Sequence, residues 1–116
     1  MQHIVAYMSH EDQRGLIRGI TQDCWHEINY VETCAGGIRG GHYHKETHEL
    51  FYILDGMVNI VIRNTQTGDV SNFTATTGEI ILIEPFEHHT FTARVATRWL
   101  NMLSIPHNPQ QPDFFN

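Results

Sequence analysis

Apolar residues recur along this chain in short bursts separated by turn-forming residues. Leu50 to Leu54 and Ile80 to Ile83 are unbroken apolar runs, and Met57 to Ile62 is rich in β-branched residues. Val70 to Thr76, Thr90 to Val95 and Arg98 to Ile105 resume the pattern, and Trp25 to Thr33 alternates poorly but is made of strand formers. Gly36-Gly37, Asp55-Gly56, Asn64 to Asp69, Thr77-Gly78 and a loop over Glu84 to His88 punctuate these runs. Short strands broken by turn signals predict an all-β sandwich or barrel. No stretch sustains helical periodicity, and Glu11 to Ile20 has room for a turn of helix at most. The runs Leu50–Leu54 and Ile80–Ile83 are apolar on both faces, whereas a one-sheet barrel leaves one face wet. The excess predicts a double-layered jelly roll or a homodimer that covers an outer face; the alternative is cover from loops of the same chain.

The ends differ from the middle. Pro106 to Asn116 carries three prolines, which lack the backbone donors of a central strand. Phe114 and Phe115 in that stretch need cover from the barrel or from a partner. The expected organisation is a single domain over residues 1–116, with 1–20 as an N-terminal arm and 106–116 as a C-terminal tail. A length of 116 residues suits one core and leaves no room for a second.

Composition narrows the function classes. Hydrophobic residues are 41% and charged residues 17%, an ordinary globular mixture. The formal net charge is −6 and Lys45 is the only lysine, so a nucleic-acid partner is not expected. No apolar stretch is long enough to span a membrane, and Met1 to Met8 lacks the pattern of a signal peptide. The expected location is cytoplasmic. Cys24 and Cys34 are too few for a disulfide framework and read as free thiols.

The chemistry concentrates in Gly36 to Glu49. Residues two apart on a strand point to one face, so His42 and His44 can converge, and Glu49 can join them beyond a short turn. Two imidazoles and a carboxylate suit one divalent ion such as Fe, Mn, Ni or Zn. A second segment, Gly78 to His89, offers a further imidazole, and its spacing favours His89 over His88. A lone His-x-His is usually two polar strand residues; here the glutamate and both flanking glycines fall in register. Phe51 and Ile53 share the inward face of Glu49, and Phe91 that of His89. These three are expected to wall a pocket, with a plain core role as the alternative.

The two segments resemble the cupin family. Its first motif, Gly-x5-His-x-His-x3–4-Glu-x6-Gly, is matched by Gly36, His42, His44, Glu49 and Gly56. Its second, Gly-x5-Pro-x-Gly-x2-His-x3-Asn, is matched by Gly78 and His89, with Glu84, Phe86 and Ala93 replacing the proline, glycine and asparagine. The resemblance implies a double-stranded β-helix (jelly-roll) barrel with His42, His44, Glu49 and His89 as metal ligands. Arg39 to Lys45 also resembles the Arg-Gly-x-His-x-His-Lys segment of sugar-nucleotide ketoisomerases of the same superfamily. Asp12-Gln13-Arg14-Gly15-Leu16 is similar to the opening of those enzymes and of related epimerases. That likeness implies a small-molecule substrate of keto-sugar type, with His42 and His44 moving a proton and Arg39 near the sugar or phosphate. Those isomerases need no metal, whereas Glu49 keeps the metal-binding register. The resulting expectation is a metal-assisted isomerase- or epimerase-like enzyme. A non-haem iron dioxygenase and a non-catalytic binding barrel are the alternatives, because fold and ligand set do not choose a reaction.

Overall fold

A computed structural model describes residues 1–116. It contains eleven strands and no helix: β1 Gln2–Ile4, β2 Met8–Asp12, β3 Gly15–Gly19, β4 Glu27–Thr33, β5 Ile38–His42, β6 Glu49–Asp55, β7 Met57–Asn64, β8 Val70–Thr76, β9 Ile80–Ile83, β10 Glu87–Ala93 and β11 Thr97–Leu103. With no helix present, none is long and apolar enough to cross a membrane. A five-stranded sheet runs β1-β9-β6-β11-β4, a four-stranded sheet runs β5-β10-β7-β8, and β2-β3 forms a hairpin of its own. Every pairing is antiparallel. The two large sheets face each other as an all-β jelly-roll barrel.

Period-two alternation decides what lies between the sheets. From β6, Phe51 and Ile53 enter the core; from β7, Val58, Ile60 and Ile62; from β10, Phe91; and from β11, Trp99. The intervening residues of β6 and β9 face outward, where Leu50, Ile80 and Met102 form a second buried cluster. Ile4, Ala6, Ile20 and Trp25 cover it. The apolar outer face of Leu50–Leu54 and Ile80–Ile83 is thus covered by the chain's own N-terminal segment.

Three local readings are corrected. Glu11 to Ile20 is not a helical turn: it lies in the β2–β3 hairpin, where Gly15 takes φ 130° and the Asp12 carboxylate accepts the Arg14 amide at 2.9 Å. Short side-chain caps of this kind favour a turn over a helix. The loop after Glu84 is shorter than expected, because β10 begins at Glu87 and includes both His88 and His89. Residues 1–20 are not wholly outside the barrel, since β1 pairs with β9 at the edge of the five-stranded sheet.

Phe86 stands in the left-handed region at φ 67°, at the position where the cupin motif carries glycine. Its amide donates to the His44 carbonyl at 2.6 Å, and its own carbonyl accepts the amide and hydroxyl of Thr65 at 2.8 Å. The turn before β10 is thereby pinned to two other loops.

Candidate metal centre

The four expected ligands come from four separate segments. His42 ends β5, Glu49 begins β6, and His89 lies on the inward face of β10. His44 lies beyond the end of β5, in the connection that carries the chain from one sheet to the other. A glycine allows two of these segments to meet. Gly40 has φ 89°, and a Cβ there would sit 2.6 Å from the His89 carbonyl oxygen. The register of β10 against β5 shifts between His89 and Thr90, so that His89 pairs with His42. The donor atoms of His42, His44, Glu49 and His89 all lie within 4.8 Å of one another. His88 does not join them; it pairs across the ladder with Arg63.

The hydrogen bonds define what the cluster can hold. The His89 Nδ1–H donates to the Glu87 carbonyl at 3.0 Å, and the His44 Nδ1–H donates to the Asp113 carbonyl. A carbonyl accepts only, so both Nδ1 atoms carry protons and leave Nε2 facing inward. Both Nε2 atoms face one oxygen, Glu49 Oε1, which lies 3.4 Å from His89 and in direct contact with His44. Neutral Nε2 and carboxylate oxygen are both acceptors, so the cluster needs a cation between them, either a proton or a metal ion. Ligating histidines fixed through their second nitrogen by carbonyls are a recurring feature of metal centres. The donor set therefore fits a divalent ion. Glu49 Oε2 accepts the Asn101 amide at 2.7 Å, which orients the carboxylate from β11.

Charge is distributed unevenly. Burial pushes the Glu49 carboxyl upward, but hydrogen bonds and charge from His44 and His89 overcome it and hold it well below the ordinary carboxylate range. Burial also disfavours a charged His44, yet the Glu49 carboxylate and the Asp113 carbonyl raise it above its usual value. His42 moves the other way, to about 4, through burial and then through repulsion from His89 and His44. Glu49 reaches His42 only through space, whereas it binds His44, His89 and Asn101 directly.

A cavity of about 160 Å³ opens beside the cluster and includes Arg39, His42, Glu49, Phe51, His89 and Phe91 in its lining. Phe51 and Phe91 are at once core and wall, with ring centroids 4.6 Å apart. Ile53 is core but does not reach the cavity. Arg39 is held in place: Nε donates to Thr33 Oγ1 and Nη2 to the Glu32 carbonyl, both at 2.8 Å. Asp12 and Arg14 pair with each other at 2.7 Å on the hairpin. Three residues of the site were not anticipated: Asn101, Asp113 and Phe114, whose ring centroid lies 5.5 Å from that of His42. For Asn101 there was a signal, since a polar residue two beyond Trp99 occupies an inward position.

The comparisons agree with this architecture. The chain resembles the capsular polysaccharide assembling protein CapF from Staphylococcus aureus at 18% identity and TM-score 0.73, covering 93% of this chain but 31% of that protein. This chain thus spans about a third of CapF's length. A sugar 3,4-ketoisomerase, QdtA from Thermoanaerobacterium thermosaccharolyticum, in complex with TDP, matches at 16% identity and TM-score 0.79, covering 96% of this chain and 84% of that one. The dTDP-4-dehydrorhamnose 3,5-epimerase from Sulfolobus tokodaii matches at 16% identity and TM-score 0.76, over 89% of this chain and 70% of that one. At these identities the likeness speaks to the fold. No curated protein sequence matches. The profile of the polysaccharide biosynthesis C-terminal domain matches residues 10–115, and the chain belongs to that family, on a cupin-type jelly roll.

Proposed function

We propose that this chain is a metal-assisted isomerase or epimerase acting on a nucleotide-linked keto-sugar, with one divalent ion held by His42, His44, Glu49 and His89. The observation that carries the reading is the pair of Nε2 atoms and the carboxylate oxygen aimed at one point, beside a cavity that also contains Arg39. The neighbouring structures whose names specify sugar-nucleotide chemistry support the substrate class. When bound, a divalent ion supplies polarisation of a substrate carbonyl, which acidifies the adjacent C–H. Phe51 and Phe91 keep water from that side of the cavity. Arg39, fixed by Thr33 and Glu32, offers its remaining N–H groups to an anionic or polar end of the substrate.

A second reading keeps His42 off the metal as the proton-transferring base. It is favoured by Glu49, which binds His44 and His89 but not His42. Both ring nitrogens of His44 are already engaged, so of the two motif histidines His42 is the one free to move a proton.

The test is deuterium incorporation from heavy water into a panel of keto-sugars and their nucleotide forms, with elemental analysis of the untreated protein. Exchange that disappears on metal removal supports the first reading; exchange that survives it but fails in His42→Ala supports the second. No exchange, together with Fe(II)-dependent oxygen uptake, would move the assignment to a dioxygenase. We also assign a homodimer, because Leu16 and Ile17 of the hairpin and Ile28 and Tyr30 of edge strand β4 are exposed. A monomeric mass in light scattering at working concentration would reject it.

A further inference from the structure

Three of the four clustered side chains are on strands, and strand ladders fix them. His44 is the exception, because the segment 43–48 crosses between sheets and has no regular partner. Apart from the Phe86 amide on the His44 carbonyl and Ser104 on His48, its partners come from the C-terminal tail. The Asp113 carboxylate accepts the amides of Lys45, Glu46 and Thr47 at 3.0, 2.9 and 2.8 Å, and the Thr47 hydroxyl at 2.8 Å. The Asp113 carbonyl accepts His44 Nδ1–H. Tyr43 and Phe115 exchange two main-chain hydrogen bonds at 2.9 Å, and the Lys45 ammonium lies 4.1 Å from the Phe115 ring centroid. Every residue from 43 to 47 therefore has a partner in 113–115.

We infer that Asp113 is a positioning residue for His44: its carboxylate clamps the 45–47 turn and so presents its own carbonyl to His44 Nδ1, fixing the ring with Nε2 toward Glu49. The inference rests on the metal-centre reading for its consequence but not for its geometry. A carbonyl on Nδ1 fixes both tautomer and ring orientation, and such outer partners typically contribute 10- to 100-fold to metal affinity. The carboxylate accepts four hydrogen bonds, so alanine would leave three amides and a hydroxyl without their acceptor, and tail and turn would separate. Simple cover of the barrel mouth would predict a loss of stability without a change at His44.

The experiment compares the full-length protein with Asp113→Ala in two measurements. Zinc affinity is read by calorimetry, and protection of the His44 Nδ1–H proton from solvent exchange is read by NMR on metal-free protein. Asp113→Ala is expected to weaken zinc binding by about 10- to 100-fold and to expose the Nδ1–H proton. Asp113→Asn keeps one acceptor oxygen and should fall between; it also serves if the alanine variant does not fold. Ile60→Val, a purely structural change, should move neither readout. Zinc affinity within two-fold of wild type and a protected proton in the folded variant would overturn the inference and leave the metal centre standing. A wild type that binds no zinc yet loses its protected proton on substitution would sink the metal centre and keep the inference.

Discussion

The two ends of the barrel interior are built from the same strands and differ completely in chemistry. Along β6 the inward face reads Glu49, Phe51, Ile53; along β10 it reads His89, Phe91, Ala93; along β11, running against β6, it reads Asn101, Trp99, Thr97. Each series starts polar at the mouth, passes through one aromatic layer and ends in small or aliphatic residues. The aromatic layer, with Phe91 and Trp99 centroids 5.5 Å apart, separates a charged cluster from a dry one. Burying a charge without partners is far costlier than burying a methyl group. The polar end is tolerable because Glu49 bonds His44, His89 and Asn101, whereas the apolar end rests on packing, with the Thr97 hydroxyl, bonded to main-chain groups of Met57 and Val95, as its polar exception. Stability and chemistry are divided along each strand, within a few residues.

This division can be tested by substitution on either side of the boundary. Phe51→Ala, in the boundary layer, should show the largest effect: about 3–5 kcal/mol of stability lost, with weaker metal binding as well, measured by urea denaturation and zinc titration. A loss well below that range, with metal binding unchanged, would mean that Phe51 is a pocket wall and not a foundation. His44→Ala, at the polar end, should reduce zinc affinity by at least the ~100-fold that an outer partner alone can contribute, while the barrel stays folded by circular dichroism. Ile60→Val, at the apolar end, should lower stability by about 0.5–1.5 kcal/mol and leave zinc affinity untouched.

A last test concerns pH in the metal-free protein. The folded pKa of His42 is about 4 against an ordinary 6.5, so below 6.5 the unfolded chain takes up a proton that the folded one refuses. The His42 contribution to stability is complete above 6.5 and is lost as pH falls toward 4. His42→Gln should therefore lose less stability than wild type between pH 7 and pH 5 in chemical denaturation. An equal loss in both would show that His42 is not desolvated.

Much of this was legible from residue order. Apolar and β-branched runs bounded by turn residues located β6, β7, β8 and β9 nearly to the residue, because Asp55-Gly56, Asn64 to Asp69 and Thr77-Gly78 mark where each run stops. The four clustered side chains were legible because motif spacing reflects strand register. Strand β5 was harder to read, since Gly40 and Gly41 carry no side chain with which to alternate. Asp113 left no trace: it meets His44 across 69 residues, from a tail without periodicity. The cover of Leu50 and Ile80 was also hidden, because Ile4, Ile20 and Trp25 lie in irregular or edge segments whose destination local pattern does not encode.

Phe86 carries a consequence for the loops it joins. Its backbone is held where L-residues pay roughly 1–2 kcal/mol, and its ring centroid stands 6.2 Å from that of Tyr43. Replacing it with glycine would relax the backbone, keep the main-chain bonds to His44 and Thr65, and remove an aromatic ring from beside Tyr43. One position thus sets the tension of a turn that ties two other loops together, and it does so outside the lining of the cavity that contains Arg39, His42 and Glu49.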